Sequence, residues 1–331
     1  MSAQSQPRHQ KRSSRRLAGL IAGIAMVTPG WLGASVAFAD SAPSPASLAI
    51  ADTNNNRVVE IPGGGTGQTV VASGLGSPQG VALDSAGNVF IADTLNNRVV
   101  EYRPFSSTPI TIDADLSVPS SVAVDGAGNV FIADFGNGRV VEVPAGGGAP
   151  IKIVDGLSAR GVAVDQRGNV FIADTFNNRV LRVPAGGGAP TQVSGSVTFP
   201  SGIGVDAAGN LYVTEATKND VVEIFPGGST LILATDFNNP AGVAVDAFGN
   251  VFVADSGDNR VVELPAGGGV QNIFGTGLDQ PFGVGVPPLA SAPAPVTPEV
   301  PVAILAPLAA AALLGSLLVL RRRRVDRSAS L

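Results

Sequence analysis

Cysteine is absent from this chain of 331 residues, and its one histidine, His9, lies in a basic N-terminal stretch. The lack of cysteine excludes disulfides and thiolate metal sites. We expect the N-terminal stretch to be removed, which leaves no imidazole for a Ser-His-Asp triad, an acid–base pair or a zinc ligand. Aromatic residues are scarce at 5%, whereas glycine (42 residues) and proline (25) are abundant. This mixture favours short strands and turns, so we predict an all-β fold.

The net charge of −5 is unevenly distributed along the chain. Residues 1–39 hold five basic and no acidic residues, and residues 300–331 hold five arginines and one aspartate. The remaining stretch, 40–299, contains 11 basic and 25 acidic residues, a net charge of −14. Nucleic acid is therefore not expected as a partner, because binding its backbone needs a basic face. The acidity favours a soluble, exposed domain, with no cofactor beyond a weakly bound divalent cation such as Ca²⁺.

Residues 1–39 have the pattern of a signal peptide. A basic stretch ending at Arg15-Arg16 precedes an apolar stretch, which closes with an A-x-A cleavage pattern at 37–39. Cleavage there would leave 40–46 as a short N-terminal segment. General secretion is favoured over twin-arginine export, and an uncleaved membrane helix is the alternative.

A second apolar stretch lies near the C-terminus. Residues 300–320 carry no charge and would span about 31 Å as a helix, close to the thickness of a bilayer. A proline-rich linker, 287–299, precedes this stretch, and a basic tail, 321–331, follows it. By the positive-inside rule we predict a single-pass membrane anchor with a cytoplasmic C-terminus and an extracellular domain. The alternative, a cell-wall sorting signal, lacks its LPxTG-like motif.

Self-similarity at a period of about 40 residues characterises 47–286. Each unit contains a phrase like G-V-A-V-D-x-x-G-N-V-F, and turns rich in glycine and asparagine divide it into four short strands. Six units of four strands predict a six-bladed β-propeller. An acidic residue recurs every 40 or 41 residues, at Asp52, Asp93, Asp134, Asp174, Glu215 and Asp255.

The two ends of the array predict how the ring closes. The array begins at Ser47 with a second strand and ends at 281–286 with a first strand. Pairing these two strands would complete one blade and leave no open edge.

The phrase V-D-x-x-G-N-[VL]-[FY]-[IV]-[AT]-D-[TS]-x-N-N-R-V resembles the NHL repeat across 47–286. The resemblance implies a six-bladed propeller, here in a secreted, membrane-anchored bacterial form. That family includes protein- and RNA-binding propellers, sensor domains of bacterial receptor kinases, and lyases that rely on histidine. Six-bladed lactonases, which are related in fold, hold a divalent metal through Glu, Asn and Asp, but those ligands cannot be matched to positions in this sequence.

Five of the recurring acidic residues are followed five positions later by an arginine. One interpretation is a ring of charged pairs that grips a ligand. The favoured interpretation is structural: each aspartate caps its own turn and pairs with the arginine, because every blade needs this link. The five pairs are Asp52 with Arg57, Asp93 with Arg98, Asp134 with Arg139, Asp174 with Arg179, and Asp255 with Arg260.

One face of the predicted disc is a candidate recognition surface. The turns after the second strands and the linkers between blades share this face and vary in sequence, whereas the opposite face has near-identical turns and is expected to lack aromatic anchors. Blade 5 departs from the repeat by placing Lys218 and Asp220 where its neighbours have asparagine and arginine. The candidate binding residues are Leu95, Phe135, Phe176, Phe199, Lys218, Asp220, Phe237 and Phe282.

These observations predict a monomeric, non-enzymatic propeller for binding, sensing or scaffolding that recognises a protein or a cell-envelope ligand. The alternative is a lactonase- or lyase-like enzyme that depends on a divalent metal. No residue is assigned a catalytic role, and the sequence does not identify a metal site.

Overall fold

The computed structural model describes residues 47–287 except 64, 66, 107, 114 and 194–196. These residues form six four-stranded antiparallel sheets, and the innermost strands of neighbouring sheets contact one another around a ring. The fold is therefore the predicted all-β six-bladed propeller. The predicted signal peptide, membrane helix and basic tail lie outside the described residues. Within 47–287, no helix has the length and apolar character needed to cross a membrane.

Each blade has four strands, which follow one another from the innermost to the outermost in a fixed order. Blade 1 contains β24 (Pro281–Gly285), β1 (Leu48–Asp52), β2 (Arg57–Ile61) and β3 (Thr69–Ser73). Blade 2 contains β4 (Val81–Leu83), β5 (Val89–Asp93), β6 (Arg98–Tyr102) and β7 (Ile110–Asp113). Blade 3 contains β8 (Pro119–Val124), β9 (Val130–Asp134), β10 (Arg139–Val143) and β11 (Ile151–Asp155).

The other three blades follow the same plan. Blade 4 contains β12 (Ala159–Val164), β13 (Val170–Asp174), β14 (Arg179–Val183) and β15 (Thr191–Gln192). Blade 5 contains β16 (Pro200–Val205), β17 (Leu211–Glu215), β18 (Asp220–Ile224) and β19 (Thr230–Ala234). Blade 6 contains β20 (Pro240–Val245), β21 (Val251–Asp255), β22 (Arg260–Leu264) and β23 (Asn272–Phe274). Single-turn 3₁₀ helices follow four of the second strands, at Thr94–Asn96, Phe135–Asn137, Thr175–Asn177 and Ser256–Asp258.

The second strand of each blade is buried on both faces because the neighbouring blades pack against it from either side. This explains the continuous apolar run V-F-I-A-D, which an alternating, half-exposed strand would not have. Ile91 and Ile132 are fully buried, and each lies in a hydrophobic cluster shared by two adjacent blades. The core is therefore divided among the interfaces between blades.

In five of the six blades, the innermost strand lies so close to the next one that a side chain would not fit at the position of one glycine. A Cβ atom placed on Gly242 would lie 2.5 Å from the carbonyl oxygen of Phe282 in the next blade. The glycine that opens the G-V-A-V-D phrase is thus explained by close backbone approach.

The ring closes as predicted, through blade 1. β24 pairs antiparallel with β1, with Ala49 opposite Gly285 and Ile50 opposite Val284. Four of the innermost strands, β8, β12, β16 and β20, begin before the G-V-A-V-D phrase: β8 starts at Pro119, whereas the Val-Ala-Val pattern predicts a start at Val122. Proline is tolerated at the first residue of a strand because no ladder hydrogen bond is needed there.

Candidate binding site at the junction of blades 3 and 4

We define the loop face as the face that carries the turns after the second strands together with the linkers that lead into the first strands. The two kinds of segment are hydrogen-bonded to each other there. The backbone N–H of Leu95 donates to Gly76, that of Gly136 to Ser117, and that of Gly257 to Asn238. The turns therefore hold the linkers in place.

The acidic residue at the end of each second strand fastens the linker of its own blade. Five aspartates accept the backbone N–H of a linker residue at 2.6–2.8 Å, and Glu215 accepts that of Thr198 in the same way. The paired arginine donates from Nε to the same aspartate at 2.6–2.8 Å. Every one of these aspartates is buried, so their carboxylates are occupied in joining segments of the scaffold.

This geometry differs in one respect from the predicted turn cap. In the four 3₁₀ turns, the preceding aspartate makes no side-chain hydrogen bond to a backbone N–H of the turn. In three of these turns the carboxylate accepts instead from the side-chain amide of an asparagine three residues later, as Asp93 does from Asn96 at 2.9 Å. The aspartate carboxylate accepts its backbone hydrogen bond from the N–H of a linker residue instead of from the turn.

Two further hydrogen bonds connect most blades to the next. An asparagine with positive φ at the end of the turn accepts a linker N–H of the following blade, as Asn97 does from Val118 at 2.8 Å. A hydroxyl at the start of the turn donates to the carbonyl of the residue that opens the next first strand, as Thr94 does to Pro119 at 2.9 Å. Equivalent pairs are Asn56–Ser77, Asn178–Phe199, Asn219–Asn239 and Asn259–Gln280, and Thr53–Pro78, Thr175–Pro200 and Ser256–Pro281.

The junction of blades 3 and 4 lacks both of these bonds. Phe135 stands where four of the other five turns have a hydroxyl, and Gly138 stands where all five have asparagine. The linker is also one residue shorter, because Leu157 precedes Ala159 by two positions, whereas Leu116 precedes Pro119 by three. The missing residue is the one that would donate to the asparagine. Ser120 makes a substitute link by donating its hydroxyl to the carbonyls of Ala159 and Arg160, both at 3.1 Å.

An aromatic and cationic cluster occupies this altered junction. Phe135, Phe176 and Phe199 come from the turn of blade 3, the turn of blade 4 and the linker into blade 5. The ring centroids of Phe135 and Phe176 are 6.1 Å apart, and those of Phe176 and Phe199 are 5.3 Å apart in an edge-on arrangement. The guanidinium carbon of Arg160 lies 5.6, 5.9 and 5.6 Å from the centroids of Phe135, Phe176 and Phe199, within cation–π range of all three. We call these four residues the Arg160 cluster.

Arg160 stands at the mouth of the central channel. It is the second residue of β12, and it helps to line a central cavity of about 60 Å³. The equivalent positions in the other blades are uncharged: Gln79, Ser120, Ser201, Ala241 and Phe282. Burial lowers the pKa of the Arg160 guanidinium, which nevertheless stays protonated at neutral pH.

Three of the other candidate binding residues have different surroundings. Leu95 is 69% exposed on the loop face in blade 2, outside the Arg160 cluster. Phe282 is half-buried in the channel wall of blade 1, across the ring from Arg160. The choice of Phe237 as an exposed anchor is wrong, because only 6% of this residue is exposed and it packs in the core shared by blades 5 and 6. Phe237 occupies the position that leucine fills in most of the other linkers.

The departures in blade 5 form a buried carboxylate pair rather than an exposed patch. Asp220 lies directly opposite Glu215 in the register of β17 and β18, where other blades pair an arginine with an aspartate. Lys218 neutralises Glu215, with its Nζ at 2.9 Å. Asp220 is 6% exposed, and one of its oxygens has no hydrogen-bond partner among the described residues. Burial, followed by the charge of Glu215, raises the pKa of Asp220 to about 6. Its predicted role in an exposed binding patch is therefore wrong, whereas Lys218 is partly exposed.

The expectation that the opposite face lacks aromatic anchors is also wrong. Phe105 and Phe248 are exposed there, in the outer turn of blade 2 and the inner turn of blade 6. They belong to blades that are not neighbours, so they do not form a cluster like that around Arg160.

Arg160 is the residue of the site that sequence reasoning missed. The sequence contains a signal for Arg160. When the six first strands are aligned, Arg160 is the one charged residue at a position that is neutral in the other five, and it follows the shortened linker. The regular spacing of the acidic residues does not reveal this substitution, because the spacing stays at 40 or 41 residues throughout. Within 47–287, the described residues contain no group of three or more Asp, Glu, His or Cys side chains able to hold a metal ion together.

A family model of the NHL repeat matches residues 75–102, 116–142 and 237–264, which belong to blades 2, 3 and 6. The chain contains NHL repeats. Blades 4 and 5, which contribute Arg160, Phe176 and Phe199, fall outside the matched NHL repeats. No curated protein matches the chain significantly.

Solved structures share the architecture at low sequence identity. A chain of a nidogen/laminin complex aligns with a TM-score of 0.66 and 20% identity over 73% of this chain and 98% of its own length. A streptogramin B lyase aligns at 0.56 and 13%, covering 74% and 88%. A catalytically inactive virginiamycin B lyase from Staphylococcus aureus with quinupristin aligns at 0.53 and 15%, covering 69% and 81%. Likeness at this level of identity shows the propeller fold that these NHL repeats build.

Proposed function

We propose that this chain is a non-enzymatic binding propeller, exported and tethered to the cell membrane, which recognises a protein or a cell-envelope ligand through its loop face. The observation that carries the proposal is the Arg160 cluster at the one described junction that gives up both links between blades. A feature that merely held the ring together would follow the repeat. The Arg160 cluster instead departs from the repeat and places aromatic side chains together at the surface.

Binding energetics favour such a cluster as an anchor. Binding surfaces draw most of their energy from a few aromatic and arginine residues. Phe176 is 55% exposed and touches two other rings, so a ligand can cover it without first reorganising the scaffold. The similar chain in the nidogen/laminin complex supports the proposal, because a propeller of this architecture occurs there in a complex between proteins.

The test is capture of envelope components on the immobilised protein. Three forms are compared: the parent chain, Phe176→Ala and Phe248→Ala. Phe176→Ala should weaken binding of the specific component by about 1–3 kcal/mol, or roughly 5- to 150-fold in affinity. Phe248→Ala is the matched control, because it removes an exposed aromatic ring from the opposite face. Equal loss in both variants, or loss only with Phe248→Ala, would contradict recognition through the loop face.

Membrane tethering has a separate test. Ending the chain before Pro298 should release a folded propeller into the medium if 300–320 is the anchor. Retention of the truncated chain in the membrane would place the anchor elsewhere and favour an uncleaved leader.

The lyase- or lactonase-like alternative is tested on the same purified protein. Stoichiometric divalent metal, together with turnover of a lactone panel that a chelator abolishes, would favour that alternative over binding alone.

A further inference from the structure

We infer that the Arg160 cluster is a receptor for a side-chain carboxylate of a protein partner, flanked there by an apolar or aromatic side chain. The inference rests on the proposed function and adds the chemistry that the site selects. It follows from three features: a guanidinium with no acidic partner among the described residues, uncharged residues at the equivalent position of the other five blades, and a junction altered at several positions.

The guanidinium of Arg160 differs from those of the other loop-face arginines. Arg57, Arg98, Arg139, Arg179 and Arg260 each hold a buried aspartate at 2.6–2.8 Å. No acidic side chain among the described residues lies within ion-pair distance of Arg160. Its neighbours are three aromatic rings, which attract the cation through their faces but accept no strong hydrogen bond from its N–H groups. A half-buried cation in this setting gains from an incoming carboxylate, which can accept two parallel hydrogen bonds.

The altered junction surrounds this guanidinium with aromatic rings. The standard turn would place a hydroxyl at position 135 to bind the next blade, and Arg160 would then lose one of its three rings. The standard linker would insert a further residue between Leu157 and Ala159, beside Arg160, as Val118 stands before Pro119. The phenylalanine at 135, the glycine at 138 and the shortened linker therefore all favour the same outcome, an arginine framed by rings at the channel mouth.

The charge of the chain selects a carboxylate over phosphate-rich ligands. Residues 40–299 carry a net charge of −14, which repels polyanions such as nucleic acid or a strongly anionic bilayer. A single arginine matches a single carboxylate. The rings around it add affinity for apolar groups beside that carboxylate, which a bare phosphate or a free ion lacks.

The probe is a pair of capped tripeptides, acetyl-Phe-Asp-Phe-amide and acetyl-Phe-Asn-Phe-amide, titrated into the full chain in nonionic detergent. Dissociation constants come from ligand-observed NMR, and 3-phenylpropionate competes as a free carboxylate. We expect the aspartate peptide to bind at least 10-fold more tightly than the asparagine peptide. Arg160→Gln should remove this preference, and Arg160→Lys should retain part of it.

Arg167→Gln is the matched control. Arg167 lies seven residues further on, is exposed in a turn of the opposite face, and uses its backbone N–H to bond Asp165. The control should bind both peptides as the parent does. Thermal melts of all variants identify any variant that fails to fold. If Arg160→Gln fails to fold, the affinities of Arg160→Lys for the two peptides still test the inference.

Equal affinity for the two peptides, or an undiminished preference in Arg160→Gln, would overturn the inference. If Phe176→Ala abolishes capture of an envelope component while the peptides bind equally, the proposed function stands and the carboxylate inference falls. If the aspartate peptide binds through Arg160 while no component is captured through the loop face, the carboxylate site stands and the proposed function falls.

Discussion

Two neighbouring junctions, between blades 2 and 3 and between blades 3 and 4, are built from the same repeat but differ in the hydrogen bonds that join the blades. At the first, Thr94 and Asn97 each hold the linker of the next blade through one hydrogen bond. At the second, Phe135 and Gly138 occupy those positions, and neither side chain makes the corresponding bond. The comparison teaches that the repeated polar residues of this propeller stabilise the ring, and that the proposed binding surface lies where they are replaced.

The ring tolerates this loss because its other links survive at the altered junction. The carboxylate of Asp174 still accepts the linker N–H of Ser158 at 2.8 Å, and Leu157 still donates its backbone N–H to Gly138 at 3.0 Å. Leu157 also stays buried with the other linker residues of its kind. These bonds hold the linker into blade 4, whereas the residues of the Arg160 cluster lie outside that linker.

The largest expected effect comes from breaking a junction altogether, at the closure of blade 1. Deleting 280–286 removes β24 and uncovers β1, whose five residues are all buried. Each apolar side chain that loses burial costs about 1.5–3 kcal/mol, against a total of about 5–15 kcal/mol for a typical domain. We expect unfolding or aggregation, measured by circular dichroism and gel filtration.

Deletion of 288–295 is the control for the closing strand, since it removes a similar length of the proline-rich linker. It should shift the Tm by no more than a few degrees. If both deletions leave the same Tm, the ring does not depend on β24.

The next largest effect separates the two kinds of linker phenylalanine. Phe237→Ala leaves a cavity in the core shared by blades 5 and 6 and should lower the free energy of unfolding by about 3–5 kcal/mol. Phe199 comes from the linker of the preceding blade but is only half-buried in the Arg160 cluster, so Phe199→Ala should cost clearly less. Chemical denaturation measures both, and a larger cost at Phe199 would mean that the cluster is core rather than binding surface.

A third effect concerns Asp220, the buried acid in the position of an arginine. Its pKa of about 6 in the folded chain lies above the ordinary value of 3.8. The folded state therefore keeps the proton longer than the unfolded chain, and the contribution of this group to stability falls as pH rises from about 4 to 6. Asp220→Asn should match the parent near pH 4 and exceed it by about 1–3 kcal/mol above pH 7.

Asp155→Asn is the matched control for this pH dependence. Asp155 is exposed, and its hydrogen bond with Lys152 lowers the pKa of its carboxyl group, the opposite direction. Its substitution should produce no gain above pH 7. An Asp220→Asn variant whose gain does not change between pH 4 and 8 would contradict the assigned cause.

The architecture could be predicted from the sequence because it is repeated six times. Strand burial, glycine at the tight turns and the half-blades at the two ends all follow from the period. The site was only partly predictable. Phe135, Phe176 and Phe199 were found as variable loop residues, but Arg160 was missed because it lies in a strand that otherwise obeys the repeat. Phe237 was misplaced because an aromatic residue in a linker was taken as exposed, although its position is the buried one in every blade.

The smallest expected effect tests the opening comparison most directly, by exchanging the residues of the two junctions. Thr94→Val removes the hydroxyl that Pro119 accepts and should lower the free energy of unfolding by about 1–2 kcal/mol, the cost of leaving a buried carbonyl without its partner. Phe135→Thr introduces a hydroxyl where the next blade begins with Ala159, whose carbonyl already accepts from Ser120. With the linker one residue short, we expect the new hydroxyl to form no equivalent link and to change the free energy of unfolding by no more than about 0.5 kcal/mol. The same substitution removes one ring from Arg160, so it should weaken the aspartate tripeptide several-fold while the melting curve stays in place. If Phe135→Thr raised the free energy of unfolding by as much as Thr94→Val lowers it, the altered residues at the junction of blades 3 and 4 would be a loss of stability without a role in binding.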